Sequence, residues 1–309
     1  MNLELNFVKL FLVQNQELKD PDYNLPLVNE LSKLDALKED AAPTPDNPPW
    51  NGWIALGVWV MSIVFIIVFP NIFVLPYLVG QDLDFSDSAR LNEFVRSDKT
   101  AVILQLLSVI PSHILTLILA WFVVTKFRKY SFRQTLGWKW GGFKFWHAPV
   151  ILVFFYVLAF ALTSIFGESK NDFLKILESS RTAVYLVAFF ATFTAPLVEE
   201  VVYRGILYSA FQRTFGVVWA VVAVTFLFAL IHVPQYSTNW IPDFVTVTVI
   251  LFLSLVLTLI RVKTGNLLPC IVLHTVFNGV QSVVLILQPY LENLSKTPEQ
   301  PASIFHLLK

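Results

Sequence analysis

The chain has 309 residues, of which 56% are hydrophobic and 14% are charged. Ordinary soluble domains carry roughly 25% charged residues, so this composition predicts a membrane protein with several spans. Lys plus Arg and Asp plus Glu number 22 each, and no basic stripe is interleaved with aromatic residues, so nucleic-acid binding is excluded. Cys270 is the only cysteine, which excludes an intrachain disulfide and a cysteine-based metal cluster.

The first 49 residues are predicted to form an extension outside the bilayer. Within 1–46, apolar residues recur at helical spacing among charged ones, which indicates two short amphipathic helices. We expect these helices to form a cytosolic cap on the membrane domain or its surface, and the alternative is a partner-binding segment. No basic start followed by an apolar core is present, so no cleaved signal peptide is expected. The proline-rich segment 41–49 is typical of a stiff, non-helical linker.

The rest of the chain is predicted to be an all-α, polytopic membrane helical bundle over 50–291, followed by a C-terminal tail over 292–309. A helix needs about 20 residues to cross the hydrocarbon core. Seven uncharged tracts, one interrupted by a charged motif, provide such spans: 47–81, 100–125, 145–167, 182–213, 214–242, 244–260 and 264–291. Seven transmembrane helices are expected, or eight if Pro70 and Pro76 break the first tract into a span and a re-entrant turn.

The distribution of basic residues predicts the orientation. The loop 126–147 contains six Lys or Arg residues and no acid, whereas 233–241 contains no Lys or Arg. The basic loop is therefore expected in the cytoplasm. Alternation then places the loops 82–99 and 168–181 outside, although they also carry basic residues.

One motif places charge inside an apolar span. Glu199, Glu200 and Arg204 lie in the fourth tract, where each charge costs about 2.5–3.5 kcal/mol at a helix centre. They must form a site or an internal ion-pair network. The i, i+4 spacing of Glu200 and Arg204 favours a structural salt bridge. Tyr203 lies on the Glu199 face as either a wall or a hydrogen-bond donor, and Pro196 would free a backbone carbonyl and bend the helix.

Polar residues in two further spans reach a similar depth. If the chain turns near Gly216, Glu199 and His232 both lie roughly 25 Å from the turn on antiparallel helices. The i, i+4 pair His274 and Asn278 shares one face of the last span. His113, in contrast, lies alone in its span and is expected to be a helix–helix hydrogen-bond partner.

These side chains support amide hydrolysis. A carboxylate and an imidazole can hold and deprotonate a water molecule, directly or on a metal ion. A second imidazole and an amide can donate hydrogen bonds to the oxyanion. Two non-enzymatic alternatives stay open, a membrane scaffold or immunity protein that keeps the motif for structure and a proton-coupled transporter that uses Glu199 and His232 as a relay. An inverted repeat would favour transport, and none is evident.

The three motifs, Glu-Glu-x-x-x-Arg at 199–204, Phe-x-x-x-His at 228–232 and His-x-x-x-Asn at 274–278, resemble those of the CPBP family. This family contains type II CAAX prenyl proteases and related bacterial membrane proteins, often called Abi proteins. The resemblance covers about 182–288 and implies a glutamate-dependent, metallo-type intramembrane endopeptidase in the plasma (inner) membrane of a bacterium. Its substrate would be a membrane-associated peptide or protein, and a prenylated CAAX tail, another lipidated or amphipathic peptide and a bacteriocin-type precursor all stay open.

The resemblance also implies roles for individual residues. Glu199 would be the essential carboxylate and His232 its water-holding partner, while His274 and Asn278 would form the oxyanion or metal side. A Zn²⁺ ion held by Glu199, His232 and His274 is one expectation. A metal-free site is the other, because the neutral amide of Asn278 is a poor zinc ligand and a good oxyanion donor.

Overall fold

The computed structural model describes residues 42–167, 173–238 and 241–295. The chain divides into two units, 1–42 and 43–309. The amphipathic helices predicted within 1–46 fall almost entirely outside the described residues. The same is true of most of the predicted C-terminal tail.

The described part is a helical membrane bundle, which confirms the predicted fold class. Six helical stretches are long and apolar enough to cross a membrane: Gly52–Val79, Lys99–Thr125, His147–Phe166, Arg181–Phe215, Phe244–Thr264 and Leu268–Gln288. A shorter apolar helix, Val217–His232, lies between the fourth and fifth of them. Each of the seven predicted tracts therefore contains a helix.

The first half of the bundle consists of helices α1 to α7. They are α1 (Gly52–Val79), α2 (Ser88–Ser97), α3 (Lys99–Leu107), α4 (Val109–Thr125), α5 (Phe132–Leu136), α6 (His147–Phe166) and α7 (Phe173–Ser179). The second half contains the predicted site. Its elements are α8 (Arg181–Phe189), the π-helical segment π1 (Phe190–Thr194), α9 (Ala195–Glu200), the π-helical segment π2 (Val201–Leu207), α10 (Tyr208–Phe215), α11 (Val217–His232), the short antiparallel strands β1 (Ser237–Thr238) and β2 (Ile241–Pro242), α12 (Phe244–Thr264) and α13 (Leu268–Ser295).

Helix α1 runs without interruption through Pro70 and Pro76, so the alternative of a break into a span and a re-entrant turn is wrong. A proline inside a helix removes one backbone donor. Neighbouring side chains can satisfy the carbonyls around such a site in a membrane bundle. Close to Pro70, the Ser112 hydroxyl of α4 donates to the Phe65 carbonyl at 3.1 Å, and the Asn71 amide of α1 donates to the Ile67 carbonyl at 2.7 Å.

The largest buried cluster surrounds π2. Val201, Ile206 and Leu207 are completely buried, and apolar side chains of α1, α4 and α11 pack around them. Gly205 allows π2 to pack closely against α5, since a Cβ atom at this position would lie 3.1 Å from the Leu136 side chain. The bundle therefore holds π2, which carries Tyr203 and Arg204, at its centre.

Residues 43–50, here called the arm, dock on one end of the bundle, although they belong to the predicted linker. The arm is non-helical, as predicted. The Trp50 indole donates to the Ile206 carbonyl at 3.0 Å, and the buried Arg261 pairs with Asp46 at 3.1 Å. Arg213 donates to the Pro48 carbonyl at 2.8 Å. These contacts anchor the arm against α10, α12 and π2.

Candidate active site

A buried ion pair forms the foundation of the site. Glu200 and Arg204 are both completely buried, and Arg204 Nη1 lies 2.8 Å from Glu200 Oε1. Arg204 also donates from Nη2 to the hydroxyl and carbonyl oxygens of Ser254 at 2.8 and 2.9 Å, and from Nε to Thr258 Oγ1 at 3.2 Å. The local i, i+4 pair is thus present, and α12 supplies the remaining acceptors. Because all three guanidinium nitrogens have partners, the charge can be accommodated at this depth.

His274 lies between the two carboxylates of the motif. Its Nδ1 is 2.9 Å from Glu200 Oε1, and its Nε2 is 3.8 Å from Glu199 Oε2. An ionised carboxylate can only accept a hydrogen bond, so Nδ1 carries a proton and donates it to Glu200. This contact fixes the orientation of the imidazole ring and turns its Nε2 edge toward Glu199.

The two glutamates differ in their accessibility. The side chain of Glu199 is 22% exposed, whereas that of Glu200 is completely buried. A water molecule or a substrate can therefore reach Glu199 directly. Tyr236 lies in the turn after α11. Burial, and to a smaller extent the negative charge of Glu199, raise the pKa of Tyr236 to about 12. The Tyr236 phenol consequently stays protonated at neutral pH.

His232 ends α11 with one nitrogen committed to the backbone. Its Nδ1 lies 2.7 Å from the Phe228 carbonyl. A carbonyl only accepts, so Nδ1 carries the proton and Nε2 is left with a lone pair. The Phe228 ring lies 4.7 Å from the His232 ring and 5.9 Å from the His274 ring. The histidines of α11 and α13 thus both lie beside the ring of Phe228.

Asn278 makes a hydrogen bond to the backbone of π1 that its motif does not predict. Its Nδ2 donates to the Ala191 carbonyl of π1 at 2.8 Å. In π1 a carbonyl is paired with the N–H five residues later, as Phe190 is with Ala195. The next pair would join Ala191 to Pro196, which has no N–H. Asn278 therefore replaces the donor that Pro196 lacks, and the freed carbonyl expected from Pro196 was the signal for this contact.

His113 makes the helix–helix contact expected of it. Its Nδ1 lies 2.9 Å from Thr194 Oγ1. This hydrogen bond joins α4 to π1, outside the ion-pair network.

The residues expected to hold zinc, Glu199, His232 and His274, are of types that bind this ion. Within 42–167, 173–238 and 241–295, no three His, Cys, Asp or Glu residues are grouped as metal ligands. The Nδ1–H of His274 donates to Glu200, and its Nε2 lies 3.8 Å from Glu199 Oε2. The arrangement is that of a carboxylate–imidazole network.

A separate cavity of about 1010 Å³ lies at one end of the bundle. Helices α2 and α7 and the turn after His232 line it, and Glu93, Arg96, Lys175 and Glu178 give it a mixed charge. The predicted site residues are not among the side chains that line it. This cavity therefore lies outside the ion-pair network.

Comparison with known families places the site in context. Residues 181–280 match the family described as Type II CAAX prenyl endopeptidase Rce1-like. We refer to this region, by its similarity to that family, as the Rce1-like domain. The resemblance to CAAX-type membrane proteases is thereby confirmed for the part of the chain that carries all three motifs.

A relative supports the same assignment beyond the Rce1-like domain. The membrane-embedded CAAX protease MroQ of Staphylococcus aureus (strain USA300) is 27% identical over 167 residues, which are 51% of this chain and 62% of the relative. The chain thus spans less than two thirds of the length of this relative. No solved structure matches the chain.

The Rce1-like domain also receives a contact that sequence reasoning missed. Trp59 of α1 lies outside the matched region, yet its indole Nε1 is 2.8 Å from the Tyr203 hydroxyl. Nothing in the sequence connects these residues, which lie 144 positions apart. A tryptophan inside an apolar span was the one available hint, because its N–H needs an acceptor when buried.

Proposed function

We propose that the protein is a glutamate-dependent intramembrane endopeptidase of the CAAX type in a bacterial plasma membrane. The observation that supports this function is the accessible Glu199 carboxylate beside the Nε2 edge of His274, above a fully buried Glu200–Arg204 pair. Burying this much charge is costly. A chemical role for Glu199, the accessible carboxylate, would explain why the fold bears the cost of burying charge beside it. The match of this region to the CAAX prenyl endopeptidase family is a second support.

In the proposed reaction, Glu199 and His232 hold and activate the attacking water. The Nε2 lone pair of His232 accepts one hydrogen bond from this water, while Glu199 accepts the other and removes the proton during attack. The new C–O bond forms at the carbonyl carbon of the peptide. When the C–N bond breaks, Glu199 returns its proton to the leaving amine.

His274 is proposed to stabilise the negative charge that develops on the carbonyl oxygen. Its Nδ1–H donates a hydrogen bond to Glu200, which leaves the Nε2 edge directed toward the site. A doubly protonated His274 can then donate from Nε2 to the oxyanion. A zinc ion held by Glu199, His232 and His274 would lower the pKa of the attacking water, and the steps described here use the side chains alone.

The proposed substrate is a prenylated CAAX tail or another lipid-anchored or amphipathic peptide that reaches Glu199 from the bilayer. The name of the relative, a membrane-embedded CAAX protease, and the apolar surroundings of the site favour this class. Matched reporter peptides with and without a farnesyl group test the lipid requirement. Equal cleavage of both would restrict the proposal to amphipathic peptides.

Glu199→Gln tests the function itself. The substitution is nearly isosteric and removes the base, so we expect peptide release to be abolished while membrane insertion and the melting temperature stay close to those of the wild type. The measurement compares peptides released in membranes containing each protein by mass spectrometry. Identical release from both would reject the enzyme and favour a non-catalytic scaffold.

A further inference from the structure

The hydroxyl group of Tyr203 is a donor whose direction is fixed. The residue is 3% exposed and lies in π2, four positions after Glu199. An indole N–H can only donate, so Trp59 uses a lone pair of the Tyr203 oxygen in their 2.8 Å hydrogen bond. The proton of Tyr203 must therefore point away from Trp59.

That proton has no acceptor in the described part of the chain. The hydrogen bond from Trp59 is the one formed by the Tyr203 hydroxyl among these residues. Tyr203 follows Glu199 by four positions in one helical stretch, which places its side chain on the same face as the reactive carboxylate. A buried donor left without an acceptor is costly, typically by about 1–3 kcal/mol.

The ring of Tyr203 is held rigidly on the same aromatic residue as the site histidines. It packs edge to face against Phe228, with 5.0 Å between ring centroids and an interplanar angle of 75°. Phe228 also contacts His232 and His274. A ring fixed on one side by Phe228 and at its hydroxyl by Trp59 does not need to reorganise when a ligand arrives.

The site has a use for such a donor. Asn278, the amide expected at the oxyanion, already gives a hydrogen of its Nδ2 to the Ala191 carbonyl. The attacking water needs acceptors for its hydrogens and a free lone pair, so a further donor would hinder it. The carbonyl oxygen of the scissile bond is the group that gains negative charge and requires donors.

We infer that Tyr203, oriented by Trp59, is a catalytic residue that donates a hydrogen bond to the carbonyl oxygen of the scissile peptide. This inference rests on the proposed function. The proton stays on the phenol oxygen throughout, and the bond strengthens as the oxyanion forms. Tyr203 and His274 would then contact that oxygen together.

The test compares Tyr203→Phe with wild-type protein in proteoliposomes. The probe is the peptide whose release separates wild type from Glu199→Gln, synthesised with a fluorophore and a quencher on either side of the cleaved bond. Loss of one oxyanion donor lowers kcat by about 10²–10³, and we expect a fall in this range with KM unchanged. The pH profile should keep its position, because Tyr203 does not bind the base.

Two further variants make the test specific. Trp59→Phe keeps the phenol but frees its rotation, so kcat should fall in the same direction and by less. Tyr208→Phe removes a hydroxyl from another buried tyrosine, whose ring lies 5.2 Å from the Arg261 guanidinium carbon, and it should retain the wild-type kcat. Melting temperatures of all variants exclude loss of fold as the cause.

Several outcomes would overturn the inference. A wild-type kcat in Tyr203→Phe would do so, as would a change confined to KM or a pH profile displaced together with the rate. If Tyr203→Phe does not fold, an unaltered kcat in Trp59→Phe would contradict the role. Failure of the proposed function is a separate result, because wild type and Glu199→Gln would then release the same peptides.

Discussion

Arg204 is held by hydrogen bonds from two directions. Glu200 accepts from one side, and Ser254 and Thr258 accept from the other. Its guanidinium carbon also lies 4.6 Å from the centre of the Phe228 ring, which adds a cation–π contact. The residue therefore links three helices and has no exposed surface from which it could reach a substrate.

Replacing Arg204 should lower the stability of the fold more than replacing Glu199 does. Arg204→Ala leaves the Glu200 charge buried without its cation, and breaking such a pair typically costs about 3–5 kcal/mol. We expect a lower melting temperature in detergent and lower expression than for Glu199→Gln, whose side chain is partly exposed. Equal stability of the two variants would contradict this division of roles.

Removal of metal should leave the enzyme active. The imidazole nitrogens of His274 face Glu200 and Glu199, and the ligand set expected for zinc does not form a cluster in the described residues. Chelator-treated protein should therefore cleave its peptide at the untreated rate. The matched control is a His232→Ala/His274→Ala double variant, whose metal content by mass spectrometry should equal that of the wild type. Activity lost on chelation and restored by zinc would contradict the metal-free mechanism.

At the scale of elements, two π-helical segments flank the pair Glu199–Glu200. Such segments are rare and often occur at functional sites. Side chains from two neighbouring helices hold π1: His113 of α4 binds Thr194, and Asn278 and Ser282 of α13 bind the Ala191 carbonyl and Thr192. These contacts fix the position of the turn that leads into Glu199.

The link between Pro196 and Asn278 can be measured with a double-mutant cycle. Asn278→Ala leaves the partly buried Ala191 carbonyl without its side-chain donor, and we expect a loss toward the lower end of the about 1–3 kcal/mol typical of a buried group. Pro196→Ala supplies a backbone N–H at the position where a π-helix needs it, so Asn278→Ala should cost less stability in that background. The measurement is the melting temperature of the two single variants and the double variant. Strictly additive losses would show that the two positions are not coupled.

At the scale of the whole molecule, the loops separate into two groups. At one end the arm, α5 and the turn after α12 meet around Gly137, where an added Cβ atom would lie 2.9 Å from both Pro45 and Asn266. At the other end α2, α7 and the turn after His232 enclose the cavity. This grouping agrees with the predicted alternation of the loops, and the basic loop 126–147 lies at the first end.

Cysteine labelling tests which end faces the cytoplasm. In a Cys270→Ser background, Ser131→Cys should react with an impermeant thiol reagent only from the cytoplasmic side, because the basic loop stays inside. Ser88→Cys at the start of α2 is the matched exposed position and should react only from outside. Wild-type Cys270 is completely buried and serves as the unreactive control. Outside labelling of Ser131→Cys would reverse the orientation.

The local features of this protein could be predicted from its sequence. Apolar tracts of sufficient length must become helices in a bilayer, because every backbone group has to be satisfied within the segment. The Glu200–Arg204 pair follows from i, i+4 spacing, and the free carbonyl near Pro196 follows from its missing N–H. The eight-helix alternative shows the limit of such rules, since α1 continues through Pro70 and Pro76.

Contacts between helices were decided by the tertiary structure. The sequence alone does not show that His274 binds Glu200, that Asn278 serves Ala191 or that Trp59 orients Tyr203. Each contact depends on how a helix is rotated about its axis. A soluble amphipathic helix reveals that rotation through its apolar stripe, whereas spans that are apolar on every face do not. Close packing and interhelical hydrogen bonds fix the rotation in a membrane, and they exist only after the bundle has assembled.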